Sequence, residues 1–205
     1  MLSSITPLGE RGRNNRWGLT VSAYLVGSTA GGAVVGVAFG ALGQAARAAW
    51  PGPGDPPAAA ALCVLAAVAL GGLVLEAGWR GARLPTLKRQ VDERWLDGLR
   101  GWVYGIGYGF QLGLGVVTIV TSALTYTTVA AALLSASWVG GLMIGTTFGL
   151  MRALPILLTA RVQGPAELRA LHVRNQRWGV WAGRLAVGAQ GLVAVGALST
   201  AVAVH

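Results

Sequence analysis

Hydrophobic residues in this chain come in long unbroken blocks, not in the one-sided stripes that soluble helices and strands show. The blocks cover about residues 17–43, 58–79, 101–160 and 178–204. A helix needs about 20 apolar residues to cross the hydrocarbon core of a bilayer, and each block reaches that length. The pattern predicts an all-α integral membrane protein with one polytopic membrane domain over residues 1–205.

The block at 101–160 is too long for one crossing. Residues 101–134 carry no charge; as one straight helix they would reach about 51 Å, well beyond a bilayer core of about 30 Å. A broken first helix lets the block cross twice. The prediction is therefore about five spans, one of them broken, at about residues 17–43, 58–79, 101–124, 137–160 and 178–201.

Lysine and arginine residues predict the orientation. Thirteen of the sixteen lie before residue 17 or in the loops 80–100 and 161–177. Cytoplasmic loops carry such an excess of positive charge. We therefore expect a cytoplasmic N-terminus, cytoplasmic loops at 80–100 and 161–177, a C-terminus outside and insertion in the plasma (inner) membrane.

Two features of these loops suggest local structure. Apolar residues recur every fourth position after Pro85, which is compatible with a short interfacial helix, and 165–171 has the pattern of a briefer one. The interpretation favoured for both segments is a solvated connector held by its apolar face. Glu76 and Arg80, four positions apart, are expected to pair.

Composition narrows the functional classes. The net charge of +9 is explained by the loop arginines, so nucleic-acid binding is not expected. One cysteine, Cys63, and two separated histidines, His172 and His205, give neither an internal disulfide nor a metal-ligand cluster. No set of catalytic side chains is recognisable, so an enzyme is not favoured and no cofactor, metal or catalytic residue is predicted.

Glycines recur every fourth residue, a spacing that lets neighbouring membrane helices approach closely. They form three sets: Gly32, Gly36 and Gly40; Gly101, Gly105, Gly109 and Gly113; Gly141, Gly145 and Gly149.

Polar residues inside the apolar blocks are the candidates for a substrate path. On a continuous helix most hydroxyl residues of 115–134 would share one arc, with Thr127 opposite. They would either join helices to one another or line a polar cleft. Arg152 lies three residues before a kinking proline, and Gln190 is a lesser candidate. The candidates are Thr118, Thr121, Ser122, Thr125, Thr128, Gln111, Arg152 and Pro155.

Several stretches resemble the transmembrane domain of the DsbD/CcdA family, membrane thiol-disulfide carriers of cytochrome c maturation and periplasmic reduction. Residues 109–115, GFQLGLG, and the Thr-rich segment after them are similar to the family's broken fourth helix. Residues 143–158, MIGTTFGLMRALPILL, are similar to its fifth helix, and 168–198 to its basic loop and sixth. Exporters of the LysE type have a similar loose pattern of Gly, Pro and Leu residues.

The chain departs from the family where the fourth-helix cysteine belongs, since it has Thr118-Ile-Val-Thr-Ser122 there. Thiol transfer needs two cysteines, and on this alignment the family's first helix, with its cysteine, would precede residue 1. The resemblance therefore predicts a cysteine-poor relative that moves a small solute or ion through the Thr-lined break. The alternative is a non-transporting scaffold or assembly factor for cytochrome c or thiol proteins. The expected partners are the lipid bilayer, a small solute or ion, and a membrane or periplasmic protein.

Overall fold

The computed structural model describes residues 5–52, 57–77, 99–115 and 122–203. These residues form α-helices and one 3₁₀ segment, without strands in the described ranges. The helices are α1 (Pro7–Gly12), α2 (Trp17–Ala48), α3 (Ala58–Glu76), α4 (Gly101–Gly113), α5 (Leu124–Leu134), α6 (Trp138–Ala153) and α7 (Pro165–Ala203), and the 3₁₀ segment is Leu154–Arg161.

Four segments in the described part are long and apolar enough to cross a membrane, whereas the sequence predicted five spans. They are Trp17–Ala48, Ala58–Glu76, Trp138–Arg161 and Trp181–Ala203. The predicted span at 101–124 corresponds to α4, which has 13 residues, and to the first residue of α5, which has 11. Neither helix alone reaches the length that a bilayer core requires.

Helix α4 ends at Gly113, before the Thr-rich segment. Gly115 has φ 68°, and its N–H donates to the Leu112 carbonyl at 3.1 Å. A left-handed glycine just past the last helical turn is a common helix terminator, because glycine adopts this conformation without steric cost.

Helix α7 corrects the prediction for 161–177. That segment was expected to be a loop with at most a short helix, but it is helical from Pro165 onward and continues to Ala203. A proline is tolerated at the first helical position, and no further proline interrupts the run. The Glu167 carboxylate accepts the N–H of Gly164 at 2.9 Å, which satisfies a backbone donor at the start of the helix.

Pro155 lies where α6 passes into the 3₁₀ segment. Proline removes a backbone donor and displaces the carbonyl one turn earlier, which disturbs α-helical hydrogen bonding. The predicted kink in this span therefore coincides with a change of helix type.

The described residues divide into two compact units. Unit 1 contains residues 5–32, 99–115 and 146–181, and unit 2 contains 33–52, 57–77, 122–145 and 182–203. The interfacial helix considered after Pro85 lies outside the described residues.

The core of unit 1 joins residues from α2, α4 and the end of α6 with the N-terminal segment. Its buried members are Ile5, Val21, Tyr24, Tyr104, Tyr108, Ala153 and Ile156. The Thr159 hydroxyl donates to the Ile5 carbonyl at 3.1 Å, and the Leu8 N–H donates to the Val162 carbonyl at 3.3 Å. Residues before the first predicted span are thus part of the packed unit.

Glycine permits close helix contact in unit 1. A Cβ on Gly109 would collide with the Tyr24 carbonyl oxygen, so α4 lies directly against the backbone of α2. The Ser28 hydroxyl donates to the Gly149 carbonyl at 2.7 Å, which links α2 to α6. Small residues allow this approach in membrane bundles, where close packing and hydrogen bonds hold helices together.

Glycines permit close helix contact in unit 2 as well. A Cβ on Gly36 would collide with the Gly141 carbonyl oxygen, and one on Gly141 with that of Gly36. Helix α3 packs against α5. The four-residue glycine spacing therefore marks real helix contacts in both units.

Candidate functional site

The hydroxyl residues proposed as a solute path are only partly within the described structure. Thr118 and Thr121 lie outside it. The Ser122 hydroxyl accepts the Leu124 N–H at 3.1 Å, and the Thr128 hydroxyl donates to the Leu124 carbonyl at 2.8 Å. These two side chains therefore bond to the backbone of their own segment, a local use that is common for Ser and Thr.

The other predicted path residues belong to unit 1, whereas Ser122, Thr125 and Thr128 belong to unit 2. Gln111 is half-buried on α4, and Pro155 is exposed. Arg152 is half-buried, with its guanidinium carbon 5.6 Å from the centre of the Phe148 ring. That distance permits a cation–π contact within the same helix.

Unit 1 contains a buried carboxylate that the sequence did not single out. Glu10 in α1 is fully buried, at 0% exposure. Its Oε1 accepts the Tyr104 hydroxyl and the Arg13 guanidinium at 3.0 Å. Its Oε2 accepts the Thr20 hydroxyl at 2.8 Å. We call these four residues the Glu10 cluster.

Local sequence explains how Glu10 reaches this position. The Thr6 hydroxyl accepts the Gly9 N–H at 3.1 Å and caps α1, and Pro7 occupies its start. Thr-Pro followed three residues later by glutamate is a recognisable helix-start signal. It would have predicted α1, but not the residues that Glu10 contacts.

Gly101 leaves the space that the Glu10 cluster needs. A Cβ at this position would collide with the Thr20 hydroxyl and lie 3.1 Å from Glu10 Oε2. The Gly101 N–H donates to Asn15 Oδ1 at 3.2 Å. Since both carboxylate oxygens already accept hydrogen bonds, the cluster serves as a structural connection between α1, α2 and α4.

Unit 2 contains a second buried polar group, Gln190 on α7, at 0% exposure. Its Nε2 donates to Glu76 Oε2 at 2.8 Å, which joins α7 to the end of α3. Its Oε1 has no hydrogen-bond partner. Gln190 was a lesser candidate for the substrate path in the sequence analysis. The predicted partner of Glu76 was Arg80, which lies outside the described residues.

Gly72 lies beside the unpartnered oxygen of Gln190, and Ala123 lies beside Gly72. A Cβ on Gly72 would be 3.0 Å from Gln190 Oε1 and 3.0 Å from the Ala123 Cβ. Thr127 lies one helical turn beyond Ala123; it is 3% exposed and its hydroxyl has no partner. We call Glu76, Gln190, Gly72 and Ala123 the Gln190 junction.

Neither cluster has the composition of a metal centre. Over the described ranges, no group of three or more His, Cys, Asp or Glu side chains could hold a metal ion. Cys63 on α3 is exposed.

The fold and these clusters define a helical protein with four candidate membrane spans. No protein-family model and no solved structure matches the chain. It is similar to the methylamine utilization protein MauF of Methylophilus methylotrophus, with 30% identity over 157 residues. The match covers 76% of this chain and 53% of the relative, so the chain spans about half the length of the curated relative it matches. The resemblance to the DsbD/CcdA family stays a prediction.

Proposed function

We propose that this chain is a membrane-embedded accessory protein of methylamine utilization, which holds or assembles a protein partner and does not itself convert methylamine. The observation that carries the proposal is the 30% identity with a methylamine utilization protein across 76% of the chain. On this basis we place the scaffold hypothesis in methylamine utilization and no longer in cytochrome c biogenesis.

The packing in each unit supports a scaffold. The backbones of α2 and α4 touch at Gly109, and those of α2 and α6 at Gly141. Helices in such contact repack only when several backbone segments move together. A surface carried by such helices keeps its shape, which reduces the entropy lost when a partner binds.

Movement of a small solute or ion through the membrane is the second hypothesis. Two of the proposed path hydroxyls, Ser122 and Thr128, bond to backbone groups, which does not favour a Thr-lined path. The buried oxygens of Thr127 and Gln190 that lack partners do favour it, because polar groups inside membranes concentrate where solutes bind.

Deletion of the gene in the organism that encodes the chain tests whether the protein serves methylamine utilization. We expect the deletion strain to lose growth on methylamine as sole nitrogen source and to keep growth on ammonium, with the plasmid-borne gene restoring growth. Normal growth of the deletion strain on methylamine, or failure of the parent strain to grow on it, contradicts the proposal.

Two measurements on the same strains separate the hypotheses. An assembly role predicts that cell extracts of the deletion strain lack methylamine-consuming activity, even though methylamine reaches the extract directly. A transport role predicts normal activity in extracts and reduced uptake of labelled methylammonium by intact cells.

The cysteine provides a third test. Thiol exchange within this chain would need a second cysteine, and Cys63 is its single one. We expect the Cys63→Ala variant to restore growth on methylamine as well as the wild type does. Failure of this variant at normal protein levels would support a thiol role shared with a partner.

A further inference from the structure

The Gln190 junction contains a hydrogen-bond acceptor, Gln190 Oε1, that lacks a donor. A carboxylate without a proton only accepts hydrogen bonds, so the Gln190 amide must turn its NH₂ group toward Glu76. The amide oxygen then lies beside Gly72, where an added Cβ would be 3.0 Å from it. It is fully buried and has no partner.

The neighbouring side chains do not supply a donor to this oxygen. Gly72 has no side chain, and Ala123 offers a methyl group. Their small size creates the space in which the amide lies, since a Cβ on Gly72 would already be 3.0 Å from Oε1. The Thr127 hydroxyl, one turn beyond Ala123, adds a second unpartnered oxygen to the same helix.

The electrostatics at this junction favour a positive charge. Glu76 is the last residue of α3, where the carbonyl end of the helix dipole carries negative partial charge. A carboxylate, an amide oxygen and a helix carboxyl end thus occur together.

We infer that Glu76 and Gln190 bind a small cation that carries N–H donors, of the ammonium or primary alkylammonium class. Such a cation donates one hydrogen bond to Gln190 Oε1 and others to the Glu76 carboxylate. It gives the amide oxygen its missing partner and balances the carboxylate charge. This inference does not depend on the proposed function, which guides only the choice of methylammonium as a probe.

Thermal unfolding of the whole purified chain in detergent tests the site. A ligand that binds only the folded state stabilises it by RT ln(1 + [L]/Kd), so the Tm rises with the ligand concentration. We expect ammonium chloride and methylammonium chloride to raise the Tm in this concentration-dependent way. Tetramethylammonium and potassium chlorides at equal ionic strength, which supply charge without N–H groups, should not.

Variants place the effect at the junction. Glu76→Gln removes the charge at constant size and should weaken the apparent affinity about tenfold or more, because charge-assisted hydrogen bonds are the strong ones. Gly72→Ala displaces the Gln190 amide without removing a polar group and should weaken binding several-fold. Gly71→Ala is the matched control, since nothing lies within 4 Å of its added Cβ, and it should bind like the wild type.

Two results would overturn the inference. One is an equal Tm response to tetramethylammonium or potassium. The other is unchanged ammonium binding in both Glu76→Gln and Gly72→Ala; if Glu76→Gln does not fold, the Gly72→Ala and Gly71→Ala pair decides alone. The Tm experiment does not measure growth on methylamine. A negative Tm result therefore rejects the cation site without rejecting the proposed function.

Discussion

Each unit contains a polar cluster in which a carboxylate accepts a hydrogen bond from a buried side chain, and the two clusters differ in whether their hydrogen bonds are complete. In unit 1 both Glu10 oxygens accept bonds, from Tyr104, Thr20 and Arg13. In unit 2 the Gln190 amide makes one bond to Glu76, and its oxygen has none. The glutamate cluster of unit 1 is therefore complete in its hydrogen bonds, and that of unit 2 is not.

The difference separates a structural role from a binding role. A buried polar group without a partner costs about 1–3 kcal/mol, so a complete cluster stabilises the fold and an incomplete one weakens it. A ligand that completes the bonds recovers this cost. We therefore assign a structural role to the Glu10 cluster and a binding role to the Gln190 junction.

The largest effect is expected for Glu10→Ala. The substitution removes the charged acceptor of two buried hydroxyls, those of Tyr104 and Thr20, and the ion-pair partner of Arg13. Hydrogen bonds to a charged group are worth about 1.5–3 kcal/mol each, so the loss of the two buried ones should lower stability by about 3–6 kcal/mol. The measurement is the free energy of unfolding in a detergent–denaturant titration. Glu167→Ala is the control: this exposed carboxylate only caps α7, and its loss should cost about 1 kcal/mol. Equal losses for the two variants would remove the distinction between a buried and a surface carboxylate.

A smaller loss is expected for Thr20→Val. The change keeps the side-chain shape and removes the 2.8 Å hydrogen bond to Glu10 Oε2. Leaving a buried acceptor short of a donor should lower the free energy of unfolding by about 1–3 kcal/mol. An unchanged unfolding curve would show that the Glu10 cluster does not need this bond.

The smallest effect is expected for Thr127→Val, the same substitution in unit 2. The Thr127 hydroxyl is buried without a partner, so its replacement by a methyl group removes an uncompensated polar group. Stability should stay the same or rise by up to about 1 kcal/mol. A loss as large as that of Thr20→Val would mean that the Thr127 hydroxyl has a hydrogen-bond partner in the folded protein.

Sequence patterns predicted the helices and many of their close contacts. Long apolar blocks become α2, α3 and α6, because only a helix satisfies its own backbone within a membrane. The four-residue glycine spacing led to the contacts at Gly109 and Gly141. A break in 101–134 was expected from length alone, and the structure ends α4 at Gly113.

The polar contacts could not be predicted in the same way. Glu10 bonds to Tyr104, which is 94 positions away, and this pairing depends on how each helix is rotated about its axis. Periodicity gives the buried face of a helix only when polar and apolar faces differ, and here the apolar blocks are nearly uniform. Gln190 was noticed as a polar residue in a span, but nothing in the sequence paired it with Glu76.

The Glu10 cluster also has a consequence for the order of folding. Its carboxylate lies near the start of the chain, while the Tyr104 hydroxyl becomes available only after about a hundred residues have been synthesised. Contacts between residues so far apart form late, because the intervening chain must first be brought together. Thr159 reaches the Ile5 carbonyl later still, across 154 positions. The N-terminal segment therefore lacks these partners through most of synthesis, and we expect its docking to be one of the last steps in the folding of unit 1.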